Sequence, residues 1–219
     1  MFEKLKAKLE KLAEAQRQHY TIETSQFNDP IADKTDWWPL KPGGSSFKTS
    51  RLNKLSSSQM KYQLSTGGKL FIGLFGVIGS IVGIIGMLML IDRTSAGFFL
   101  IIFGCIFTGA AILLYKFMAK SVFFDGTMGI IWKGNKQPKF AGQHNATDDN
   151  LIYFNDIYAI QILSERVRSS KSSFTSYEIN MVLKNGTRIN IVDHGKHSQI
   201  LIDAEEISTF IGKPIWDVS

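Results

Sequence analysis

The sequence predicts a membrane-embedded α-helical hairpin joined to a soluble α+β domain. Two long uncharged runs, at residues 70–91 and 96–115, predict the hairpin. Short runs rich in Ile, Val, Phe and Tyr after residue 118 predict strands. One amphipathic stretch near the end of the sequence predicts a helix that packs on those strands.

Residues 1–20 are the first predicted element, an amphipathic helix. Phe2, Leu5, Leu9 and Leu12 recur at helical spacing, and lysines and glutamates occupy most of the positions between them. A helix of this kind can lie on a membrane surface, pair with a partner helix or dock on the soluble domain of its own chain. The shortness of the stripe favours docking.

Residues 21–68 are predicted to be a basic, irregular tail. Turn formers such as Pro39 break any long regular element. Two large aromatic side chains, Trp37 and Trp38, are costly to leave in water, so we expect the tail to pack on the C-terminal domain or on a neighbouring subunit. Both tryptophans are therefore candidate interaction residues. The run QMKYQLS from Gln59 predicts a short strand.

The transmembrane hairpin is predicted over residues 69–118. The run at 70–91 is about 33 Å long as a helix, which matches a hydrocarbon layer of about 30 Å. The run at 96–115 also suffices, and the short connection at 92–95 forces the two helices to be antiparallel. A buried hairpin in a globular protein is the alternative, but two uninterrupted uncharged runs of this length favour the membrane.

Small residues recur at helical spacing in both runs and are predicted to form the helix-packing faces. In lipid, helices associate where small side chains allow close backbone contact, and Gly79 to Gly83 is a GxxxG step. These faces pack within the hairpin, or the stripe of the first run docks on a helix of another protein. The predicted packing residues are Gly73, Gly76, Gly79, Gly83, Gly86, Gly104, Thr108 and Ala111.

Basic residues near the ends of the hairpin predict its orientation. Several lie between Lys48 and Lys69, and two more, Lys116 and Lys120, follow the second run, whereas the turn has only Arg93. By the positive-inside rule both termini are cytoplasmic. The sequence pI of about 9.3 then indicates a tail attracted to anionic lipid headgroups, and no basic and aromatic face typical of nucleic-acid binding is evident.

The last domain is predicted over residues 119–219. Six short runs have the composition of strands, and the stretch around 197–211 has helical periodicity that ends at Gly212 and Pro214. Antiparallel strands closed by one helix predict a small barrel or a curved sheet that the helix caps. The predicted strands are 121–125, 129–134, 151–154, 158–165, 177–184 and 187–193.

Asn185 and Gly186 predict a tight hairpin between the last two of these strands. A two-residue loop would pair Leu183 with Arg188. A three-residue loop would pair Leu183 with Ile189 instead, and burial of apolar side chains favours this second register, with a bulge.

The layout carries a resemblance. Two spans joined by a tight turn, followed by FFDGTMGIIWKG, LIYFNDIYAIQI, YEINMVLKNGTRINI and DAEEISTFIGKPIWDV, resemble bacterial two-span membrane proteins with a C-terminal pleckstrin-homology-like (PH-like) domain. The layout is also similar to that of the photosystem I assembly protein family. The resemblance covers roughly residues 70–219. It implies a PH-like fold, a place in the bacterial inner membrane and work as a scaffold, assembly factor or adaptor.

Motifs for chemistry are sparse. His194 and His197 lack further metal ligands nearby in sequence, and a polar turn explains them better. Arg166, Arg168 and Lys171 lie in a serine-rich loop that either holds a phosphorylated headgroup or is simply solvated, which its composition favours. No catalytic motif and no cofactor are assigned.

We therefore expect a non-enzymatic protein that recruits other membrane proteins or associates with itself. The first alternative is an accessory subunit of a channel, transporter or membrane-enzyme complex, packed through the glycine face of the first span. A membrane-tethered hydrolase or ligand sensor is a further alternative. It needs a polar cavity that the sequence does not reveal, and Arg166, Arg168 and Lys171 are the residues that would bind a lipid headgroup.

Overall fold

The structure, a computed structural model, describes residues 24–138, 150–168 and 172–219. Contacts divide the described chain into two compact units. We call Phe47–Phe154 the hairpin unit. Residues 24–46 together with Asn155–Ser219 form the second, the C-terminal unit. The predicted helix at 1–20 lies outside the described residues.

The described chain contains α-helices and β-strands in alternating groups. The helices are α1 (Pro30–Lys34), α2 (Thr66–Ile91), α3 (Ala96–Met118) and α4 (His197–Ile211). The strands are β1 (Ser50–Lys54), β2 (Gln59–Leu64), β3 (Val122–Asp125), β4 (Ile130–Lys133), β5 (Leu151–Tyr153), β6 (Ile157–Arg168), β7 (Ser173–Leu183), β8 (Arg188–His194) and β9 (Ile215–Asp217).

The hairpin unit contains an antiparallel sheet in the order β1-β2-β3-β4-β5. Its strands alternate in burial: Met60, Tyr62 and Leu64 of β2 are buried, while the residues between them are partly exposed. Phe124 of β3 is opposite Met60 and almost fully buried. The apolar residues of neighbouring strands therefore share one face of this sheet.

Both long helices are inserted between two paired strands of that sheet. Ser65 alone separates β2 from α2, and β3 follows α3 after residues 119–121. Because Tyr62 pairs with Val122, the start of α2 and the end of α3 lie at the same end of the hairpin. The helices extend the predicted runs by a few residues at the sheet end, and both are long and apolar enough to span a membrane.

Local chemistry sets the ends of α2. The Ser65 side chain accepts a hydrogen bond from Gly68 N at 3.0 Å and donates one to Lys48 O at 2.6 Å, so it caps the helix and ties it to the chain before β1. At the other end Arg93 has a positive φ of 58°, and Thr94 N donates to Met89 O at 2.8 Å. This left-handed residue reverses the chain into α3.

The C-terminal unit contains a second sheet in the order β8-β7-β6-β9. Strands β6, β7 and β8 are antiparallel, and β9 is parallel to β6. Helix α4 contacts β6, β7 and β9. It buries Ile200, Ala204 and Ile207, the stripe that helical spacing predicted, and it ends at Gly212, whose φ of 66° is the left-handed conformation typical of a helix terminus.

The strands thus lie in two sheets, and the strands predicted after residue 118 are shared between them. The predicted strands at 121–125, 129–134 and 151–154 pair in the hairpin unit, where the first of them joins β2, a strand that precedes the spans. The reason is long-range pairing across the inserted hairpin, which local periodicity does not encode. Strands β1 and β9 were not predicted from their composition.

The predicted register between β7 and β8 is wrong. Met181 pairs with Ile189 and Val182 with Arg188, and Leu183 N donates to Thr187 O at 2.8 Å. The pairing shifts by one residue further along, between Ile179 and Asn180, and the bulge predicted for this hairpin had no assigned position. The observed register pairs Met181 with Ile189 and Ile179 with Val192, but it places Val182 opposite Arg188.

Candidate interaction site

Residues 24–46, which we call the strap, lie on one face of the four-stranded sheet. None of them belongs to a strand of the described chain. Their partners on β6 and β7 occupy alternate positions, and Gln161, Glu165, Ser176 and Glu178 therefore point to the same side of the sheet. We call this side the strap face. Residues 24–46 of the predicted tail thus pack on the C-terminal part of their own chain, the first of the two outcomes expected for the tail, whereas residues 47–68 belong to the hairpin unit and contain β1 and β2.

An aromatic cluster anchors the first half of the strap. Trp37 stacks on Phe27 with ring centroids 5.1 Å apart, and both rings pack against Trp216 of β9 at 5.8 and 5.7 Å. The indole Nε1 of Trp37 donates to Ala32 O at 2.9 Å, so its polar atom is satisfied as the ring leaves water. Ala32 is fully buried in this cluster.

Helix α1 and β6 are joined through Asp29. Its carboxylate caps the helix by accepting from Ile31 N at 2.8 Å, and it also accepts from the Tyr158 hydroxyl at 2.6 Å. Desolvation by itself raises the pKa of Asp29. The hydrogen bonds from Tyr158, Ile31 and Ala32 together lower this pKa by a larger amount, so it lies below its ordinary value. The same bond raises the pKa of Tyr158.

Main-chain N–H groups hold the second half of the strap. Leu40 N and Lys41 N donate to the two carboxylate oxygens of Glu178 at 2.9 and 3.4 Å. Gly43 N donates to both oxygens of Glu165, at 2.8 and 3.1 Å. Ser45 N donates to Ser176 Oγ at 2.9 Å. The sheet therefore recognises the strap through its backbone, whose donors are common to all residues except proline.

Arg188 joins the two halves of the strap. Its Nη1 donates to Trp38 O at 2.7 Å and to Gln161 Oε1 at 3.1 Å, and its Nη2 forms an ion pair with Asp36 at 3.0 Å. The side chain of Gln161 in turn donates to Asp36 O at 3.1 Å. The observed register of β8 places Arg188 opposite Val182, where its guanidinium reaches the strap.

A buried polar network lies under the strap. Asn180 donates to Glu178 at 2.7 Å, and Asn190 donates to Asn180 at 3.2 Å and to Asp193 at 2.8 Å. Burial raises the pKa of Asp193 to about 6, because the charged form loses hydration. The bond from Asn190 and the charge of Lys41 oppose this rise, and the charges of Glu178 and Glu165 add to it.

Two glycines allow the strap to approach the sheet closely. A Cβ on Gly44 would collide with the Ser176 side chain, and a Cβ on Gly195 would collide with the backbone of Ser46. Neither glycine has a positive φ, so these positions require glycine because of the close contact and not because of the backbone conformation. A side chain at position 44 would require the strap to shift away from Ser176.

The predicted interaction residues have different surroundings. Trp37 belongs to the intramolecular aromatic cluster, and Trp38 is partly buried beside it, with its carbonyl bound by Arg188. Arg166 and Arg168 are exposed near the tip of the β6–β7 hairpin, opposite Thr175 and Ser173. Lys171 lies outside the described residues. The structure therefore does not bring the two tryptophans and the arginines into one site.

The predicted helix-packing residues divide into contact and non-contact positions. Cβ atoms built on Gly79 and Gly104 would lie 2.6–2.8 Å from atoms of the opposite helix, as would one on Gly86, against Gly97 and its neighbours, at 2.7–2.9 Å. For Gly79 the facing groups are Thr108 and Gly104. Looser approaches occur at Gly76, 3.7 Å from Ala111, and at Gly83, 4.0 Å from Gly104, while Gly73 has no such neighbour.

An open groove runs along one side of the two helices. It has a volume of about 560 Å³ and is almost entirely apolar. Its lining residues are Gly79, Ser80, Gly83, Ile84, Met87, Ile101, Gly104, Cys105, Thr108, Gly109 and Ile112. The small residues that leave this space are the same ones that let the helices approach.

The two histidines considered for metal binding have separate surroundings. His194 is fully buried and accepts from Lys196 N at 3.3 Å through Nδ1, and its Nε2 has no hydrogen-bond partner among the described residues. His197 stacks on Tyr177 with centroids 4.5 Å apart. Within the described ranges no group of three His, Cys, Asp or Glu side chains is arranged to hold a metal ion.

Sequence reasoning missed the residues of the strap face. Glu178 and Asn180 alternate with Ile179 and Met181 along β7, a pattern that normally indicates a strand with one wet face. Here the polar side is also buried, since Glu178 is 5% exposed and Asn180 is not exposed at all. The signal that could have found it is the density of amide and carboxylate side chains at alternate positions of three strands.

Comparison of the chain with protein-family models, with curated proteins and with solved structures finds no match. The assignment of function therefore depends on the sequence and on the geometry of the described residues.

Proposed function

We propose that this protein is a membrane-anchored scaffold, adaptor or assembly factor that recruits other membrane proteins through its soluble part. The observation that carries the proposal is the strap face. It holds a protein segment without regular secondary structure through main-chain hydrogen bonds to Glu165, Ser176 and Glu178. Recognition of this kind suits the binding of protein segments.

The two long helices support the membrane anchor. In their most apolar stretches only 11% and 17% of the residues are buried within the structure, and large side chains such as Phe99 and Ile91 are about three-quarters exposed. A core helix of a soluble protein would bury such side chains, because each contributes on the order of 2 kcal/mol when removed from water. A bilayer supplies the missing apolar surroundings.

We further propose that the protein lies in the bacterial inner membrane with both termini in the cytoplasm. Support comes from the insertion of both helices between β2 and β3, which brings the chain back to the side from which it entered. The basic residues on that side, including Lys48, Lys69, Lys116 and Lys120, favour the cytoplasm.

The PH-like assignment is also a proposal. Its support is the order of elements along the chain: antiparallel strands in one sheet, an antiparallel meander β6-β7-β8 in another, and then the amphipathic helix α4. This is the order on which the resemblance to PH-like membrane proteins was based.

Site-specific photocrosslinking in native membranes tests the recruiting function. A photoreactive residue replaces Leu40 in the strap or Arg168 at the tip of β6, both of which are exposed. We expect stoichiometric adducts with another membrane protein or with a second copy of this chain. If neither position gives an adduct above the level of a control at Glu205, an exposed residue of α4, the scaffold proposal fails.

The second candidate function, an accessory subunit of a larger membrane complex, is favoured by the open groove along α2 and α3. The same experiment includes a position in this groove, Ile84, which is 59% exposed. Adducts from Ile84 in the absence of adducts from Leu40 and Arg168 would favour the accessory subunit over the scaffold.

A further inference from the structure

We propose that the strap is an internal occupant of a peptide-binding face, and that the external ligand is a basic segment of a partner protein, without regular secondary structure, that displaces residues 36–46. This inference depends on the proposed interaction function and adds the chemical class of the partner. Four features of the strap and of the strap face support this inference.

The first feature is that, apart from the aromatic cluster around Trp37, the sheet contacts the strap mainly through the backbone of the strap. From Leu40 to Ser45 the contacts to the sheet are made by the N–H groups of Leu40, Lys41, Gly43 and Ser45. The Leu40 side chain itself is 38% exposed. A foreign segment that lacks proline at these positions, and has glycine where Gly43 adopts its positive φ of 89°, offers the same donors to Glu178, Glu165 and Ser176.

The second feature is an excess of negative charge under the strap. Glu165 and Glu178 bind the strap directly, and Asn190 and Asn180 join Asp193 to Glu178. The basic groups beside these three carboxyl groups are Arg188 of the sheet, which is paired with Asp36, and Lys41 of the strap. Like charges that share a buried site repel one another. A segment with more than one basic residue therefore complements this face better than the strap does.

The third feature is that the strap has no place in the sheet's hydrogen-bond ladder. It crosses the face of β6 and β7 and pairs with neither edge strand, so its removal breaks no strand pairing within the described sheet. The bonds of Gly43 to the two Glu165 oxygens are exposed to water. Exposed bonds of this kind contribute little to stability and exchange readily.

The fourth feature is a steric requirement for glycine. Position 44 admits no side chain while Ser176 occupies the opposite strand position. A competing segment therefore needs glycine, or a bend away from the sheet, four residues after the residue that takes the place of Leu40. This gives the ligand a recognisable pattern: an aromatic residue, then basic residues, then glycine.

The experiment uses the full chain in detergent and a labelled synthetic peptide, TDWWPLKPGGSSF, which copies residues 35–47. The key variant combines Gly44→Cys and Ser176→Cys with Cys105→Ser. A Cβ at position 44 lies 2.6 Å from the Ser176 Cβ, so a shift of about 1 Å gives the separation of a disulfide. The oxidised form locks the strap on the sheet, and the reduced form of the same protein releases it.

We expect the peptide to bind the reduced form and not the oxidised form. Gly44→Ile gives an independent open variant with every residue of the strap face intact, and it should bind the peptide as well. Wild type, with its strap closed, should bind more weakly than Gly44→Ile. Peptide binding that is equal in oxidised and reduced forms, or absent from both the reduced form and Gly44→Ile, would overturn the proposal.

Two altered peptides test the recognition chemistry. N-methylation at the position of Leu40 removes the donor to the buried Glu178 carboxylate, and loss of this bond should weaken binding about tenfold or more. N-methylation at the position of Gly43 removes a donor to Glu165 that is exposed to water, so its effect should be smaller. Lysine in place of Leu40 should strengthen binding at low salt, and glutamate there should weaken it. If N-methylation has no effect, main-chain recognition is refuted.

Failure of this inference is distinguishable from failure of the scaffold function. If the oxidised variant still forms the partner adducts of wild type in membranes, the protein recruits partners by another surface and the strap is a structural element only. If no adducts form with any variant but the open forms bind the peptide, the peptide-binding face stands and the scaffold function does not.

Discussion

The Asp193 carboxyl group lies in the buried polar network under the strap, and its ionisation lowers the free energy of unfolding. Burial raises its pKa from the ordinary 3.8 to about 6, so the carboxylate is charged at neutral pH only at a free-energy cost. A difference of about two pKa units corresponds to about 3 kcal/mol. This cost is present in full above pH 6. It disappears as the pH falls from 6 towards 3.8, where the folded state holds the proton and the unfolded state begins to do so.

Replacement of Asp193 by asparagine should therefore stabilise the protein at pH 7.5 by up to about 3 kcal/mol and have little effect near pH 4. The amide oxygen can still accept the bond from Asn190. The measurement is the midpoint of thermal unfolding in detergent as a function of pH, with Glu205→Gln on the exposed side of α4 as the control. A stability gain that does not depend on pH would contradict the assigned cause.

The glycines of helix α2 have two kinds of surroundings. Gly79 and Gly86 face the opposite backbone, where a side chain has no room, whereas Gly73 of the same helix faces open space. A glycine in a helix costs about 1 kcal/mol relative to alanine, so the contact positions must recover that cost through close packing.

Gly79→Ile and Gly73→Ile should thus have opposite effects, although both exchange glycine for the same side chain. At position 79 the new Cβ meets Thr108 and the Gly104 carbonyl at 2.6–2.8 Å, and overpacking against backbone should destabilise the hairpin by about 2 kcal/mol or more. At position 73 the better helix propensity should leave stability equal or higher. Thermal unfolding of both variants in the same detergent decides this, and equal losses would count against the observed helix interface.

The elements that the sequence predicted best are those governed by local pattern. The two long helices, helix α4 and most strands lie where periodicity placed them, because burial of one face imposes a fixed repeat on the chain. The pairing of β2 with β3 across the hairpin, the strand β1 and the register at Arg188 were not predicted. Each depends on which segments meet in space, and for Arg188 on the Asp36 carboxylate and Trp38 carbonyl that lie far away in sequence.

The residues of the candidate site were predicted less well than the fold. Trp37 was singled out for its size, and it does mark the strap, but as an internal anchor that stacks on Phe27. Glu178 and Asn180 have the spacing of a solvated strand face. Only the packing of residues 36–46 on that face reveals their role, and a segment without regular structure carries no periodic signal.

For the molecule as a whole, the proposed topology makes a direct prediction. Single cysteines at Ser57 in the β1–β2 turn, at Glu206 on α4 and at Thr94 in the helical turn, each in a Cys105→Ser background, are tested with a membrane-impermeant maleimide. In intact cells stripped of the outer membrane we expect labelling of Thr94→Cys alone. The other two should react only after lysis, because two spans return the chain to one side.

A labelling pattern with Ser57→Cys and Glu206→Cys on opposite sides would disprove the two-span anchor. Recovery of the wild-type protein in the soluble fraction without detergent would do the same, since exposed side chains such as Phe98, Phe99 and Phe117 would then face water.

The insertion of both helices between β2 and β3 also sets an order of events on the ribosome. Strands β1 and β2 leave the exit tunnel first, and the β3 partner of β2 follows only after Ser65–Ser121 has been translated. At about 5–20 residues per second this leaves the edge of β2 open for several seconds. Insertion of the hydrophobic hairpin by the translocon must therefore precede closure of the sheet, and a stalled insertion would leave an unpaired β-strand edge exposed to aggregation or proteolysis.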